Sequence, residues 1–62
     1  MTIYYRDEGG IVREDIYYDD SGDQNSIDFA DGYAYYTSAC IDDNMNHIER
    51  KILIENILRI EF

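Results

Sequence analysis

The chain reads as an all-β fold of five or six short antiparallel strands, closed into a small barrel or held as a strongly bent sheet. Three observations predict it. Ten isoleucines and nine tyrosines and phenylalanines suit a pleated, half-buried surface. Apolar and polar residues alternate with a period of two over most of the chain, the period of strands. Proline is absent, and Gly9, Gly10, Gly22 and Gly32 mark turns between short runs.

The elements follow in order. TIYYRD (2–7) makes a first strand and DEGG turns the chain. IVREDIYYDD (11–20) is a second strand, ended by the polar SGDQN. SIDFA (26–30) and YAYYTSA (33–39) flank Asp31 and Gly32, a hairpin signal because a two-residue turn needs φ > 0 at its centre. DDNMN (42–46) makes the next turn and HIERKILI (47–54) a fifth strand. The apolar positions from Ile48 to Phe62 scatter around a helical wheel, but strands sort them. Ile52 shares a face with Ile54, and Leu58 shares one with Ile60 and Phe62. Glu55, Asn56 and Ile57 form a single helical turn between the two strands.

Neighbouring side chains on a strand point to opposite faces, so each tyrosine pair divides. Ile3 and Tyr5, Ile16 and Tyr18, and Ile27 and Phe29 are expected inward. A two-residue turn at Asp31 and Gly32 sets Ala34 opposite Phe29 and Tyr36 opposite Ile27, so both also face in. Tyr4, Tyr17, Tyr33 and Tyr35 face out. The echo between IYYRD (3–7) and IYYDD (16–20) reflects similar strand ends; a solenoid needs more repeats.

The closing ILIENILRIEF, a strand, one turn and a strand, resembles the end of SH3-like barrels over residues 52–62. That resemblance implies an SH3-like barrel as the fold. It carries no binding residues, because the aromatic groove motifs of signalling SH3 domains are not recognisable in this sequence.

At 62 residues and 7.3 kDa the expected organisation is one domain over residues 1–62. Area scaling gives a folded surface of roughly 4,200 Å² and a marginal core, which a partner or a homodimer would reinforce. Cys40 is the only cysteine, which excludes an intrachain disulfide and predicts a buried free thiol. The start of the chain passes from Ile3 to Arg6 and Asp7 without an apolar run, so no signal peptide or membrane span is expected and the cytoplasm is the expected location.

Charge is distributed unevenly. Between Glu14 and Glu49 the chain holds ten carboxylates and no lysine or arginine; all five basic residues lie outside that stretch. The total is −9. Such a surface attracts basic partners and repels nucleic acid and anionic membranes. Glu14, Asp15, Asp19, Asp20, Asp23, Asp28, Asp31, Asp42 and Asp43, with the outward Tyr17, Tyr33 and Tyr35, are the candidate partner-binding residues. Asp is also a common turn residue, which accounts for several of them singly. Duplex DNA carries one charge per roughly 110 Å² of its cylinder, so imitation of DNA requires the acids to share one face.

Other chemistries find less support. DDSGDQN (19–25) and DDNMN (42–46) are rich in oxygen, but neither meets the EF-hand pattern. One His and one Cys cannot fill a zinc site in a monomer. Cys40 and His47 could meet across a turn as a thiolate–imidazole pair, yet so small a domain is expected to lack a deep substrate pocket. No catalytic residue, metal or cofactor is therefore expected, and His47 reads as a surface turn residue. Exposed Tyr beside carboxylates suits an interface, or equally the cross-strand pairs of a sheet surface.

Small size, acidity and the lack of a catalytic motif resemble phage-encoded anti-defence proteins, the anti-CRISPR and anti-restriction inhibitors. The resemblance is to a class of diverse folds. It implies a non-enzymatic inhibitor in the host bacterial cytoplasm whose acidic, tyrosine-bearing face blocks the basic nucleic-acid site of a CRISPR effector or restriction nuclease. The alternative is an SH3-like structural or assembly module that oligomerises or binds a basic protein. Direct binding to nucleic acid is opposed by charge.

Overall fold

The computed structural model describes residues 1–18 and 27–62. Six antiparallel strands follow in sequence: β1 (Thr2–Asp7), β2 (Gly10–Asp15), β3 (Asp28–Ala30), β4 (Tyr33–Ile41), β5 (His47–Leu53) and β6 (Ile57–Glu61). A 3-10 turn, Ile54–Asn56, joins the last two. The all-β expectation is met. The strands form two three-stranded sheets, β2-β1-β6 and β3-β4-β5, and the described strands do not close into a barrel.

The hairpin at Asp31 and Gly32 has the register its sequence demands. Both residues have positive φ, 54° and 82°, as a two-residue turn with the right-handed twist of its strands requires. Phe29 consequently pairs with Ala34 and Asp28 with Tyr35. The 3-10 turn falls one residue earlier than expected, on Ile54, Glu55 and Asn56.

Residues directly opposite on antiparallel strands share a face, so register defines each surface. The inner face of the first sheet carries Ile3 between Glu14 and Ile60, and Tyr5 between Val12 and Ile57. The inner face of the second carries Ala34 between Phe29 and Ile52, with Tyr36 opposite Arg50. Ile3, Tyr5, Ile16 and Tyr36 form the core where these faces meet, flanked by half-buried Val12, Ile27, Ile52, Ile57 and Ile60. A core this thin leaves Phe29, Leu53, Ile54 and Leu58 exposed.

Five expectations are corrected. The second strand was expected over 11–20, but β2 ends at Asp15. Ile16 then bridges to Ser38 and the Tyr17 amide donates to the Thr37 carbonyl. The chain thus passes from one sheet to the other, and Tyr18, expected inward, is exposed. Phe29 lies on the expected side but is also exposed, because β3 is an edge strand of three residues. Leu58 does not share the face of Ile60. A bulge shifts the register so that Tyr4 pairs with Arg59 and Tyr5 with Ile57, which turns Ile57 and Ile60 inward and Leu58 out. Cys40 is exposed rather than buried. An irregularity in β4 between Thr37 and Ile41 breaks alternation, and Ala39, Cys40 and Ile41 all reach solvent.

Candidate docking face

The outer face of β3-β4-β5 is built in rows. Asp28, Tyr35 and Lys51 stand abreast, then Ala30, Tyr33 and Leu53, and Thr37 stands beside Glu49. The two half-buried tyrosine rings lie 6.3 Å apart between centroids. Lys51 places its ammonium 4.2 Å from the Tyr33 centroid and 5.9 Å from that of Tyr35, cation–π geometry that holds the lysine flat on the face. Asp31 closes the adjoining turn. Four of the expected site residues, Asp28, Asp31, Tyr33 and Tyr35, therefore come together. Glu49 and Lys51 belong with them and were missed. Their period-two spacing along HIERKILI, out of step with Ile48 and Ile52, was the available signal.

A second group sits at the other end of β4. Tyr17, expected outward, is half-buried: its ring packs on His47 with centroids 3.8 Å apart. His47 is not a turn residue but the first residue of β5, and its Nδ1 lies 3.1 Å from the Ser38 carbonyl. That nitrogen is therefore taken up by backbone, and the Ser38 hydroxyl accepts the Cys40 amide at 3.0 Å. Asp42 spends its carboxylate inside the turn, accepting the amides of Asn44 and Asn46 at 2.8 and 3.0 Å. Asp43 is exposed beside it. Asp31 and Asp42 flank the nine residues of β4, a span of roughly 30 Å in an extended strand.

Glu14 and Asp15 lie elsewhere. Glu14 is buried on the inner face, where it accepts the Tyr36 hydroxyl at 2.5 Å and Arg50 through Nε and Nη2 at 3.1–3.3 Å. Burial pushes its carboxyl upward, but the hydrogen bonds from Tyr36, Arg50 and Ser38 outweigh that and hold it below the usual range. Burial, then the Glu14 hydrogen bond and charge, pushes the Tyr36 hydroxyl well above its ordinary value. Burial and the charge of Glu14 raise Tyr5 as well. This network is a structural tie between the sheets, closed to a partner. The signal was present in the sequence: Val12, Glu14 and Ile16 alternate on one face, as do Ile48, Arg50 and Ile52.

Asp15 lies on the outer face of the first sheet, which is organised differently. Arg13, Tyr4 and Arg59 stand abreast, with Asp15, Thr2 and Glu61 in the next row. Arg59 lies 4.4 Å from the Tyr4 centroid, and Arg13 donates to the Tyr4 hydroxyl at 3.3 Å. Each arginine also meets a carboxylate: Arg13 with Asp15 at 3.5 Å, Arg59 with Glu61 at 2.7 Å. The ten central acids therefore do not share one face. Asp19, Asp20 and Asp23 lie outside the described residues.

An open groove of about 520 Å³ runs between the end of β1 and β5. Among the described residues no His, Cys, Asp and Glu side chains gather to hold a metal ion, and no helix is long and apolar enough to cross a membrane. No family model, curated protein or solved structure matches the chain.

Proposed function

We propose that the protein is a non-enzymatic binding module that docks the outer face of β3-β4-β5 onto a basic protein surface. The observation that carries this reading is the row arrangement of Tyr33, Tyr35, Asp28 and Glu49, with Asp31 at its margin, on a chain of net charge −9. Tyrosines supply broad contact area with little entropy to lose, and carboxylates around them pair with Arg and Lys. The partner class that fits is a nucleic-acid-binding protein such as a CRISPR effector or restriction nuclease, and the role that fits is an anti-defence inhibitor. Imitation of the DNA cylinder does not support it. Net charge averages roughly one per 520 Å² of the 4642 Å² surface, several-fold sparser than duplex DNA. Blocking by a docked face, with association hastened by long-range attraction, is the mechanism consistent with this arrangement.

The test is DNA cleavage by such nucleases with the protein added at low and at high salt. Inhibition that weakens as salt rises is expected. Full cleavage at low salt under excess protein, across the panel, counts against the reading.

A second reading has its own observation. Phe29, Leu53, Ile54 and Leu58 are exposed around a thin core, and both sheets end in strands without a further strand neighbour among the described residues. These features suit an SH3-like assembly module that pairs with itself through a sheet edge. Sedimentation at rising concentration separates the two: a stable dimer favours assembly, a persistent monomer favours docking.

A further inference from the structure

Of the five basic residues, three are committed to carboxylates: Arg13 to Asp15, Arg50 to Glu14 and Arg59 to Glu61. Arg6 and Lys51 make no ion pair among the described residues, although carboxylates outnumber cations 14 to 5. Both line the same groove. Two carboxylates, Asp7 and Glu8, line it as well; neither pairs with Arg6 or Lys51, and Asp7 accepts the Gly9 amide at 2.8 Å. Lys51 is held in place by the Tyr33 ring beneath it.

The backbone around the groove is equally uncommitted. β5 is the last strand of its sheet, and Lys51, Ile52 and Leu53 form one wall. Opposite, β6 begins to pair with β1 only at Tyr5, so Arg6 and Asp7 have a strand neighbour on the β2 side alone. The groove is thus the gap between two strand edges, with apolar lining from Tyr5, Ile52 and Leu53. Edge strands often carry a lysine merely to deter pairing. Lys51 differs, because its ammonium lies over the sheet face at Tyr33 rather than projecting along the edge.

We propose that this groove takes an extended peptide segment as an added strand on β5, with an acidic side chain of that segment clasped between Arg6 and Lys51. Strand addition draws affinity from main-chain hydrogen bonds and specificity from alternate side chains. A groove open to solvent suits a chain passing through it, whereas small-molecule sites enclose most of their ligand. The groove shares Tyr33, Lys51 and Leu53 with the proposed docking face but recognises an acidic segment rather than a basic surface, and peptide binding is read without any nuclease, so either reading can fail alone.

The test is a titration of ¹⁵N-labelled protein with acetyl-Val-Val-Glu-Val-Val-amide, its Gln counterpart and free glutamate, followed by amide shifts. Saturable shifts centred on residues 5–8 and 51–56 are expected with the Glu peptide. The Gln peptide should bind roughly tenfold more weakly, as loss of a charge-assisted contact implies. The doubly substituted Arg6→Gln, Lys51→Gln protein should lose the same factor for the Glu peptide only. Both side chains are exposed, so its spectrum without ligand should stay dispersed and confirm folding. Equal binding of the two peptides, shifts centred elsewhere, or no saturation with either overturns the proposal. Matching shifts from free glutamate at the same concentration would also overturn it, assigning the groove to a small anion instead.

Discussion

The two sheets turn outward surfaces of opposite design. On β2-β1-β6, Arg13 and Arg59 bracket Tyr4 and each has its carboxylate, so charge and ring are used up within the face. On β3-β4-β5 two tyrosines stand beside Asp28 and Glu49, with Lys51 as the sole cation in those rows. The same ingredients, tyrosine, base and acid, are balanced on one side and left in acidic excess on the other. The uneven charge of the sequence thus survives folding as a difference between faces, although the acids are not gathered into one patch. Folding also removes Glu14, the most strongly bonded acid, into the seam between the sheets.

The strongest challenge to this comparison attacks that seam. Glu14→Ala leaves Arg50, Tyr36 and Ser38 without their shared acceptor, and removing one partner of a buried pair costs about 3 kcal/mol or more. In a domain this small such a loss lowers Tm by over ~10 °C, and urea denaturation should show most of the molecule unfolded at modest concentrations. Glu14→Gln, which keeps the shape and some hydrogen bonds, should fall between the variant and the parent.

The pH profile sharpens the same point. The Glu14 carboxyl is lowered in the folded state, so its stabilisation is full above the usual carboxylate range and disappears as pH falls through the lowered value. Tyr36 and Tyr5 are raised above their ordinary value of 10.0. Their contribution is full below about pH 10 and is lost as pH rises through the raised values. Urea midpoints across the range should therefore drop at both extremes; a midpoint unchanged well above pH 10 would contradict the buried network.

Smaller effects distinguish the faces themselves. Gly32→Ala, at φ 82°, should cost about 1 kcal/mol and loosen the hairpin that sets the tyrosine rows, read as lost amide-exchange protection in β3 and β4. Tyr4→Ala should destabilise by up to about 1 kcal/mol, since the ring is gripped by both arginines. Tyr35→Ala should change stability less than Tyr4→Ala while weakening partner binding far more. Equal stability losses at Tyr4 and Tyr35 would erase the contrast between the faces.

What the sequence disclosed follows from what is local. Positive φ at Asp31 and Gly32, the period-two alternation of Ile3 and Tyr5, and the brief turn before Ile57 depend on a few adjacent residues, and each appears as expected or one residue away. What it concealed is long-range or irregular. Glu14 is buried because Arg50 and Tyr36 meet it from 36 and 22 positions away. The irregularity that exposes Cys40 and the bulge that turns Leu58 outward both insert residues without changing composition, so alternation alone cannot locate them. Of the candidate site, the tyrosine row with Asp28 and the outward side of Lys51 were legible by strand period; the seating of Lys51 over Tyr33 required the pairing of β4 with β5.

Charge reversal on each face in turn gives the most direct measurement of the central claim. A protein carrying Asp28→Lys and Glu49→Lys and another carrying Asp15→Lys and Glu61→Lys change net charge equally, so long-range attraction falls alike in both. Inhibition of a sensitive nuclease should be abolished by the first pair and only moderately weakened by the second. Equal loss from the two proteins would show that overall charge, and not the tyrosine face, does the binding.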